Sequence, residues 1–456
     1  MSREPILPRF TKEIPIAIEE EPAYGYETPW ATYLLIAANV AVYLVTSSSS
    51  FFMQSSEAWI SRLGFIPLGL LSDPAHLYRV FTAMFTHAGI LHILFNMYFL
   101  YLFGRAVERS MGHWRYLLHY FLSGLVAAIV HTVFMFLLAP SGLSIPSIGA
   151  SGAISGVLGA YLILYPGTRL AACMFFFIIP FCFELSAAIW ILFWFMLQVL
   201  EGFYLAASSA VAFFAHAGGF VAGIALLPVL IDRRRLALLR SLASARRLFG
   251  FIVFIPVYYL RRGLSLVTKT LLLVLVSALL LGALTAFIYT PSSFTTMTYR
   301  VHWVGDGTEN AYLGIINWNH ILTAGDTIDS KVLLDILASS GLLFSTEYRG
   351  ATIPRVLVGP EKMILSLGPR YTISISYVLL VKNAYYTSKG VLEKALVDAQ
   401  VMTPHGPGSL RAELALQGIY NGLTILELMN LVSLAAILGS MIVVAYKDEE
   451  LVITPE

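Results

Sequence analysis

Long apolar runs recur along this chain of 456 residues, and several exceed the roughly 18 residues that a helix needs to cross the hydrocarbon core of a bilayer. Every backbone polar group inside that core must be bonded within the protein, which makes helices the natural spanning structure. Charged residues account for 12% of the chain, compared with about 25% in typical soluble proteins. The sequence therefore predicts an all-α polytopic membrane protein.

The apolar runs predict eight spanning helices. Six of them form a core, at residues 31–46, 91–108, 115–138, 151–166, 185–204 and 211–231. Two more follow at residues 271–290 and 426–446. Arginines lie in alternate connections of the core and in a cluster after the sixth helix, and by the positive-inside rule these segments face the cytoplasm. We expect an integral, multi-pass protein of the cell membrane with its N and C termini in the cytoplasm.

The polar segments divide the chain further. Residues 1–29 form an acidic cytoplasmic tail that lacks the features of a signal peptide, so we expect it to be retained. The six-helix core occupies residues 30–231. A basic linker follows at 232–270, with a segment at 248–260 that is too short to span and is expected to lie at the membrane interface. Residues 447–456 form a second cytoplasmic tail.

Residues 291–425, between the last two spanning helices, lose the continuous apolar character and are expected to form an α+β domain on the non-cytoplasmic side. Residue periodicity predicts strands at 311–317, 354–359 and 372–382, and helices at 331–338 and 390–399. The predicted fold is thus a six-helix bundle plus two further transmembrane helices that flank this extramembrane domain.

Charge and cysteine content exclude several classes of function. A net charge of +2 is too balanced to indicate a nucleic-acid partner. The two cysteines, Cys173 and Cys182, provide neither a disulfide framework nor a cysteine-rich metal site. We therefore expect no nucleic-acid partner.

Ser151 is the first candidate for chemistry, because it opens the fourth predicted helix within the sequence GASG at residues 149–152. A helix N terminus offers unpaired N–H groups and the positive end of the helix dipole, which suit a nucleophile whose attack creates an oxyanion. For this motif alone, a packing serine is the commoner explanation, because small residues occur wherever membrane helices touch.

His216, on the sixth predicted helix, is the second candidate. An ionisable side chain within a membrane span is costly and therefore indicates function, although a hydrogen bond to a neighbouring helix is the alternative role. Small residues recur every four positions on the fourth and sixth helices, and glycines line or flank both faces: Gly149, Gly152, Gly156, Gly219 and Gly223. Close backbone approach at these faces would bring the Ser151 hydroxyl within about 3 Å of His216, close enough for proton transfer.

Two polar residues of the second predicted helix complete the candidate site. His92 and Asn96 are four residues apart and project from one face near its outer end. With the backbone N–H of Ser151 they would bind an oxyanion, while hydrogen bonds between helices are the alternative role. His87 precedes this helix and is expected to be structural. No charged partner for His216 is evident in the outer half of the core, which favours a Ser-His dyad over a triad.

These residues together resemble the rhomboid family of intramembrane serine proteases. His92, Asn96, Gly104 and Glu108 match the family's HxxxN and GxxxE pattern, residues 149–152 match its GxSG motif, and residues 215–219 match its AHxGG motif. The motifs occur in the family's order along the chain. The resemblance covers about residues 30–231, which is less than half of the sequence.

The resemblance implies that Ser151 is the nucleophile, His216 the general base, and His92 and Asn96 part of the oxyanion hole. It implies no metal or cofactor, and substrates that are single-span membrane proteins cut within the lipid bilayer near its outer edge. Some family members carry an aromatic ring four residues after the nucleophile, whereas this chain has Ser155, so the orientation of His216 is left open. Trp190 and Trp194 fit either a mobile wall through which substrates enter or a packing or interfacial role.

Other functions remain as alternatives. Within residues 291–425, the segment AGDTI at 324–328 resembles part of a PDZ module, which implies that this domain binds peptide or the ectodomain of a substrate. A non-catalytic rhomboid-like protein that binds or escorts membrane-protein clients is the nearest alternative to a protease. A transporter and a zinc hydrolase that uses His87, His92 and His216 are the others.

Overall fold

The structure is a computed structural model that describes residues 18–19, 28–176, 179–205, 211–250, 263–305, 307–317, 320–366, 372–404 and 406–455. Its helices are α1 (Trp30–Ser47), α2 (Glu57–Leu63), α3 (Pro67–Ser72), α4 (Tyr78–Ala83), α5 (Ile90–Met111), α6 (His113–Leu138), α7 (Ser151–Leu164), α8 (Ala187–Leu205), α9 (Phe213–Leu230), α10 (Arg233–Gly250), α11 (Leu266–Ile288), α12 (Ile328–Ser339), α13 (Gly422–Ile442) and α14 (Asp448–Leu451). Short 3-10 turns lie at Ser48–Ser50, Pro74–Leu77 and Pro140–Ser144, and a π turn at Val443–Lys447. The strands are β1 (Ile18–Glu19), β2 (Arg169–Phe176), β3 (Ile179–Ser186), β4 (Phe294–Trp303), β5 (Thr308–Ile316), β6 (His320–Gly325), β7 (Thr352–Ser366), β8 (Thr372–Tyr386), β9 (Leu392–Thr403) and β10 (Gly406–Asn421).

Seven helices of the described residues are long and apolar enough to cross a membrane, namely α1, α5, α6, α8, α9, α11 and α13. The chain is therefore a multi-pass membrane protein, as its apolar runs predict. The remaining predicted span is α7, which has only 14 residues. At 1.5 Å per residue it is about 21 Å long, compared with about 30 Å for a hydrocarbon core. Ser151 is the first residue of this short helix and borders a cavity.

Helices α7 and α9 touch through their backbones. A Cβ atom at Gly219 would overlap the carbonyl oxygen of Gly152, and a Cβ atom at Gly223 would overlap that of Gly156. Only glycine fits at these two positions of α9, because any side chain would separate the helices. The close approach sets the relative position of the first turn of α7 and the first turns of α9.

Several elements within or next to the core have no counterpart in the predictions. Helices α2, α3 and α4 fill the connection between α1 and α5, and α10 occupies much of the predicted basic linker. Strands β2 and β3 form an antiparallel hairpin between α7 and α8, and β1 pairs with β2. Residues 251–260 of the predicted interfacial segment, and most of the predicted N-terminal tail, lie outside the described residues.

The segment between α11 and α13 forms one antiparallel sheet of seven strands in the order β6-β5-β4-β10-β9-β8-β7, with α12 packed on β5 and β6. This sheet and α12, within residues 291–421, lie outside the apolar helices and are called the outer domain. The prediction of an all-α protein therefore holds only for the membrane-spanning part. The predicted strands at 311–317, 354–359 and 372–382 fall on β5, β7 and β8, and the predicted helix at 331–338 falls on α12.

The prediction of a helix at residues 390–399 is wrong, because this segment enters β9. Buried residues alternate along the strand at Ala395, Val397, Ala399 and Val401. That period of two matches the two faces of a strand and buries one of them against the sheet's core. Tertiary packing therefore overrides the helix-forming residues of the segment.

Candidate active site

Ser151 and His216 lie in hydrogen-bonding contact. Ser151 is the first residue of α7, and His216 is in the first turn of α9. The serine Oγ and the histidine Nε2 are 2.8 Å apart. Both residues are partly exposed, although the helices that carry them are largely buried. The pair can exchange a proton and can be reached from outside the helix bundle.

Gln198 of α8 holds the other side of the His216 ring. Its Oε1 atom lies 2.7 Å from His216 Nδ1. An amide oxygen only accepts hydrogen bonds, so the neutral imidazole carries its hydrogen on Nδ1 and leaves Nε2 free to accept from the Ser151 hydroxyl. Sequence reasoning missed this partner because it searched for a charged residue. A lone amide within the apolar α8 was the available signal.

Ser155 lies four residues after Ser151, at the position where some rhomboids carry an aromatic ring. The hydroxyl of Ser155 donates to the backbone oxygen of Ser151 at 2.6 Å, within α7 itself. Trp194 of α8 lies near His216, with the centroids of the two rings 6.2 Å apart. Trp194 and Gln198 are four residues apart on one face of α8, so this helix provides two of the contacts around His216.

His92 lies beside the loop that precedes Ser151. A Cβ atom on Gly149 would be 2.7 Å from His92 Nε2, and Gly149 has a φ of 115°, a conformation that glycine adopts readily. The backbone N–H of Ala88 points at His92 Nδ1 at 3.4 Å. With Nδ1 as the acceptor, the hydrogen of a neutral ring is on Nε2, which makes Nε2 a donor next to Ser151.

Asn96 lies one turn after His92 on α5. Its Nδ2 atom donates to the backbone oxygen of His92 at 2.8 Å, and its side chain borders the cavity that contains Ser151. An amide group has two hydrogens, so the second can be donated to a ligand. His87 packs edge-on against the ring of His92, with centroids 5.0 Å apart.

Two histidines of α6 escaped the sequence analysis. His131 borders the cavity, and its Nε2 is 3.3 Å from the hydroxyl of Ser147. His119 is fully buried and its Nε2 lies 3.0 Å from the backbone oxygen of Gly223, where it links α6 to α9. His131 is therefore near the reacting groups, while His119 supports the packing of the helices.

The cavity in front of Ser151 has a volume of about 1010 Å³. The residues that border it include His92, Asn96, Ser151, Trp194 and His216. Ligand-binding cavities commonly have volumes of about 300 to 1,000 Å³, so this one can hold a peptide segment of several residues. Among the described residues, no group of three or more histidine, cysteine, aspartate or glutamate side chains is arranged to hold a metal ion.

Residues 74–233 match the family model of the rhomboid domain. The chain is 28% identical over 235 residues to RHOMBOID-like protein 6, mitochondrial, of Arabidopsis thaliana, which covers 44% of this chain and 68% of that protein. It is 31% identical over 162 residues to rhomboid protease GluP of Bacillus subtilis (strain 168), covering 36% of this chain and 30% of GluP.

Relatives named as inactive also match. Inactive rhomboid protein 1 of Drosophila melanogaster is 32% identical over 101 residues, which covers 22% of this chain and 7% of that protein. The similarity thus extends over less than a third of GluP and over a small part of the Drosophila protein. Similarity to both kinds of relative means that the reaction has to be inferred from the geometry of the site.

Proposed function

Because this chain belongs to the rhomboid family and is an integral, multi-pass membrane protein, we propose that it is an intramembrane serine protease that hydrolyses peptide bonds in or near the transmembrane segments of other membrane proteins. The observation that carries the proposal is the 2.8 Å contact between Ser151 Oγ and His216 Nε2, which lies in a cavity large enough for a peptide. The contact joins a nucleophile to a base, as acyl transfer requires.

In the proposed reaction, His216 Nε2 accepts the hydroxyl proton of Ser151 while Oγ attacks the carbonyl carbon of the scissile peptide bond. The C–N bond then breaks, and the imidazolium returns the proton to the departing amine. An acyl-enzyme ester remains on Ser151. A water molecule loses a proton to His216 and attacks this ester, and the proton goes back to Ser151 Oγ as the carboxylic acid product leaves.

The negative charge of each tetrahedral intermediate develops on the former carbonyl oxygen. The donors proposed for it are the backbone N–H of Ser151, the Nε2–H of His92 and the free amide hydrogen of Asn96. Loss of one donor of this kind typically costs about 10²- to 10³-fold in rate. The unpaired N–H groups at the start of α7 add the positive end of a helix dipole.

Gln198 is proposed to act through His216. Its Oε1 atom fixes the tautomer that can accept the serine proton, and it receives the Nδ1–H bond that strengthens when the ring becomes positively charged. The site is therefore a Ser-His dyad whose histidine is positioned by a neutral amide.

We propose that the substrates are single-span or other transmembrane proteins within a lipid bilayer. We also propose that the N and C termini of this chain lie in the cytoplasm.

A non-catalytic rhomboid-like protein that binds or escorts membrane-protein clients is the second candidate, because relatives include proteins named as inactive. The hydrogen-bonded pair of Ser151 and His216 favours the protease. A zinc hydrolase built on His87, His92 and His216 is disfavoured, because both ring nitrogens of His216 already face Ser151 and Gln198.

The test is cleavage of a panel of tagged single-span membrane proteins by the full chain in liposomes, compared with Ser151→Ala and His216→Ala. Each substitution should lower the cleavage rate by at least about 10³-fold, because the two side chains act as a unit. Ser433→Ala on α13 is the matched control, since this buried hydroxyl donates to the backbone oxygen of Met429 in its own helix and its loss should leave cleavage unchanged. Equal cleavage by the native chain and the two site variants would refute the proposal.

A further inference from the structure

The cavity that contains Ser151 continues into the outer domain. Its far wall is formed by residues of β6, α12 and β7, among them Ile321, Thr323, Ile328, Lys331 and Ile364. One continuous space therefore joins the serine hydroxyl to a domain that lies outside the six-helix core. A peptide bound at Ser151 would extend along that wall.

Polar contacts hold the outer domain in this place. Arg79 of α4 forms a 2.8 Å ion pair with Asp326, which follows β6. The hydroxyl of Tyr312 on β5 lies 2.8 Å from both Asp326 Oδ1 and His76 Nε2. Thr296 of β4 donates to the backbone oxygen of Leu71 at 2.9 Å.

These groups are largely buried, and apolar residues of the sheet join the same hydrophobic core as the membrane helices. Phe294, Tyr312, Leu322 and Ala324 are the members of that core from β4, β5 and β6. The outer domain is thus docked on the core rather than tethered to it, and its surface is a fixed part of the cavity.

The strand at this wall presents its edge. β6 is the last strand of the sheet and pairs with β5 alone among the described strands. The side chains of Ile321 and Thr323 point to one face of the sheet and that of Leu322 to the other, yet all three residues border the cavity. A cavity that is bordered by side chains from both faces of a strand must pass along the edge of that strand. An edge strand offers a row of backbone N–H and C=O groups that an extended peptide can pair with.

Three apolar side chains of the wall, one each from β6, α12 and β7, are exposed. Ile321 is 41% exposed, Ile328 is 43% exposed and Ile364 is 74% exposed, and all three border the cavity. Exposed apolar clusters of this kind mark surfaces that bind a partner. The charged residues of the wall, Lys331 and Asp335, neutralise each other in a 2.7 Å ion pair. The wall therefore suits an extended segment that is apolar and uncharged.

We propose that the outer domain binds the substrate itself: the extended segment of the substrate next to the scissile bond pairs with the edge of β6 and places apolar side chains against Ile321, Ile328 and Ile364. This inference deepens the proposed protease function and rests on it. It makes the outer domain a determinant of which membrane proteins are cut.

The first experiment measures cleavage by the full chain in liposomes for Ile321→Asp and Ile364→Asp. Each variant should raise KM about tenfold with little change in kcat, because binding is lost equally from the ground and transition states. Leu357→Asp is the matched control, since Leu357 is 62% exposed on the same strand as Ile364 but does not border the cavity. Unchanged KM for Ile321→Asp and Ile364→Asp, alongside cleavage that depends on Ser151, would overturn the inference and leave the proposed function standing.

The second experiment does not depend on cleavage. A photoreactive benzophenone amino acid replaces Ile321, Ile364 or Leu357 in the full-length Ser151→Ala variant, and each panel protein is irradiated with it in liposomes. Crosslinks to a panel protein from positions 321 and 364, and none from 357, support the inference even if no protein is cleaved. Crosslinks to lipid alone, or to nothing, overturn it.

A proline scan of the crosslinked substrate segment tests the pairing with the strand. Proline lacks the N–H group, and only alternate N–H groups of an extended segment face β6. Cleavage or crosslinking should therefore fall at every second position. A loss that shows no alternation would overturn strand pairing.

Discussion

Replacement of Gln198 tests whether the orientation of His216, the proposed general base, depends on α8. Gln198→Leu keeps a side chain of similar size and removes the oxygen that lies 2.7 Å from His216 Nδ1. Gln198 does not border the cavity, so substrate contacts are preserved. The substitution therefore isolates one hydrogen bond, which is made to the base of the proposed reaction.

The size of the effect follows from the charge that His216 acquires. Hydrogen bonds to charged groups contribute about 1.5 to 3 kcal/mol, compared with about 1 kcal/mol for neutral pairs. The charged form of His216 exists only after it takes the proton from Ser151, so the loss falls mainly on the transition state. At about 1.4 kcal/mol per factor of ten, kcat should fall by roughly 10- to 100-fold, with KM nearly unchanged.

The assay is steady-state cleavage of a tagged single-span substrate in liposomes. Gln198→Glu keeps an acceptor oxygen at the same reach and should retain much more activity than Gln198→Leu. Asn430→Leu on α13 is the control, because it removes another buried amide from a membrane helix, away from the cavity. If Gln198→Leu is folded and cleaves within twofold of the native rate, Gln198 does not position His216. An effect confined to KM would likewise contradict the reasoning.

Three further predictions concern the framework of the site. Gly219→Ala forces a Cβ atom against the carbonyl oxygen of Gly152, and should destabilise the helix bundle by about 1 to 3 kcal/mol or more, measured by denaturant titration in detergent; unchanged stability would show that α9 shifts freely. Arg79→Met leaves the carboxylate of Asp326 buried without its cation and should lower the free energy of unfolding of the outer domain by about 3 to 5 kcal/mol, whereas a loss under about 1 kcal/mol would contradict a buried ion pair. Burial lowers the pKa of His76 in the folded protein below its ordinary value of 6.5. As the pH falls, His76 is therefore protonated in the unfolded chain at a higher pH than in the folded chain, which favours unfolding. The thermal stability of the outer domain should therefore decrease below about pH 6.5, and this decrease should be smaller in His76→Gln; identical pH profiles would refute the role of His76.

The sequence alone determined most of the membrane architecture. The first predicted span, 31–46, corresponds to Trp30–Ser47, and the third, 115–138, ends at the same residue as α6. Apolar length is a local property, since a bilayer requires each spanning segment to be apolar along its own run. The same locality made Ser151 and His216 recognisable, because a polar residue stands out within an apolar helix.

Helix and strand propensities alone did not suffice to predict the secondary structure of the outer domain. The helix-forming residues near 390–399 belong to β9, because the sheet buries every second side chain there. The number and order of strands depend on pairings between distant segments, such as β4 with β10, which leave little trace in either segment alone.

Only the tertiary structure decided how the site is assembled. Ser151 and His216 are 65 residues apart in sequence, and their 2.8 Å contact depends on glycine-mediated packing of α7 on α9. Gln198 reaches His216 because α8 packs beside α9, and β6 borders the cavity because Arg79 and Asp326 dock the outer domain. Such contacts join side chains from separate elements, so their distances follow from the packing of the whole chain, whereas the candidate residues themselves were visible in local sequence.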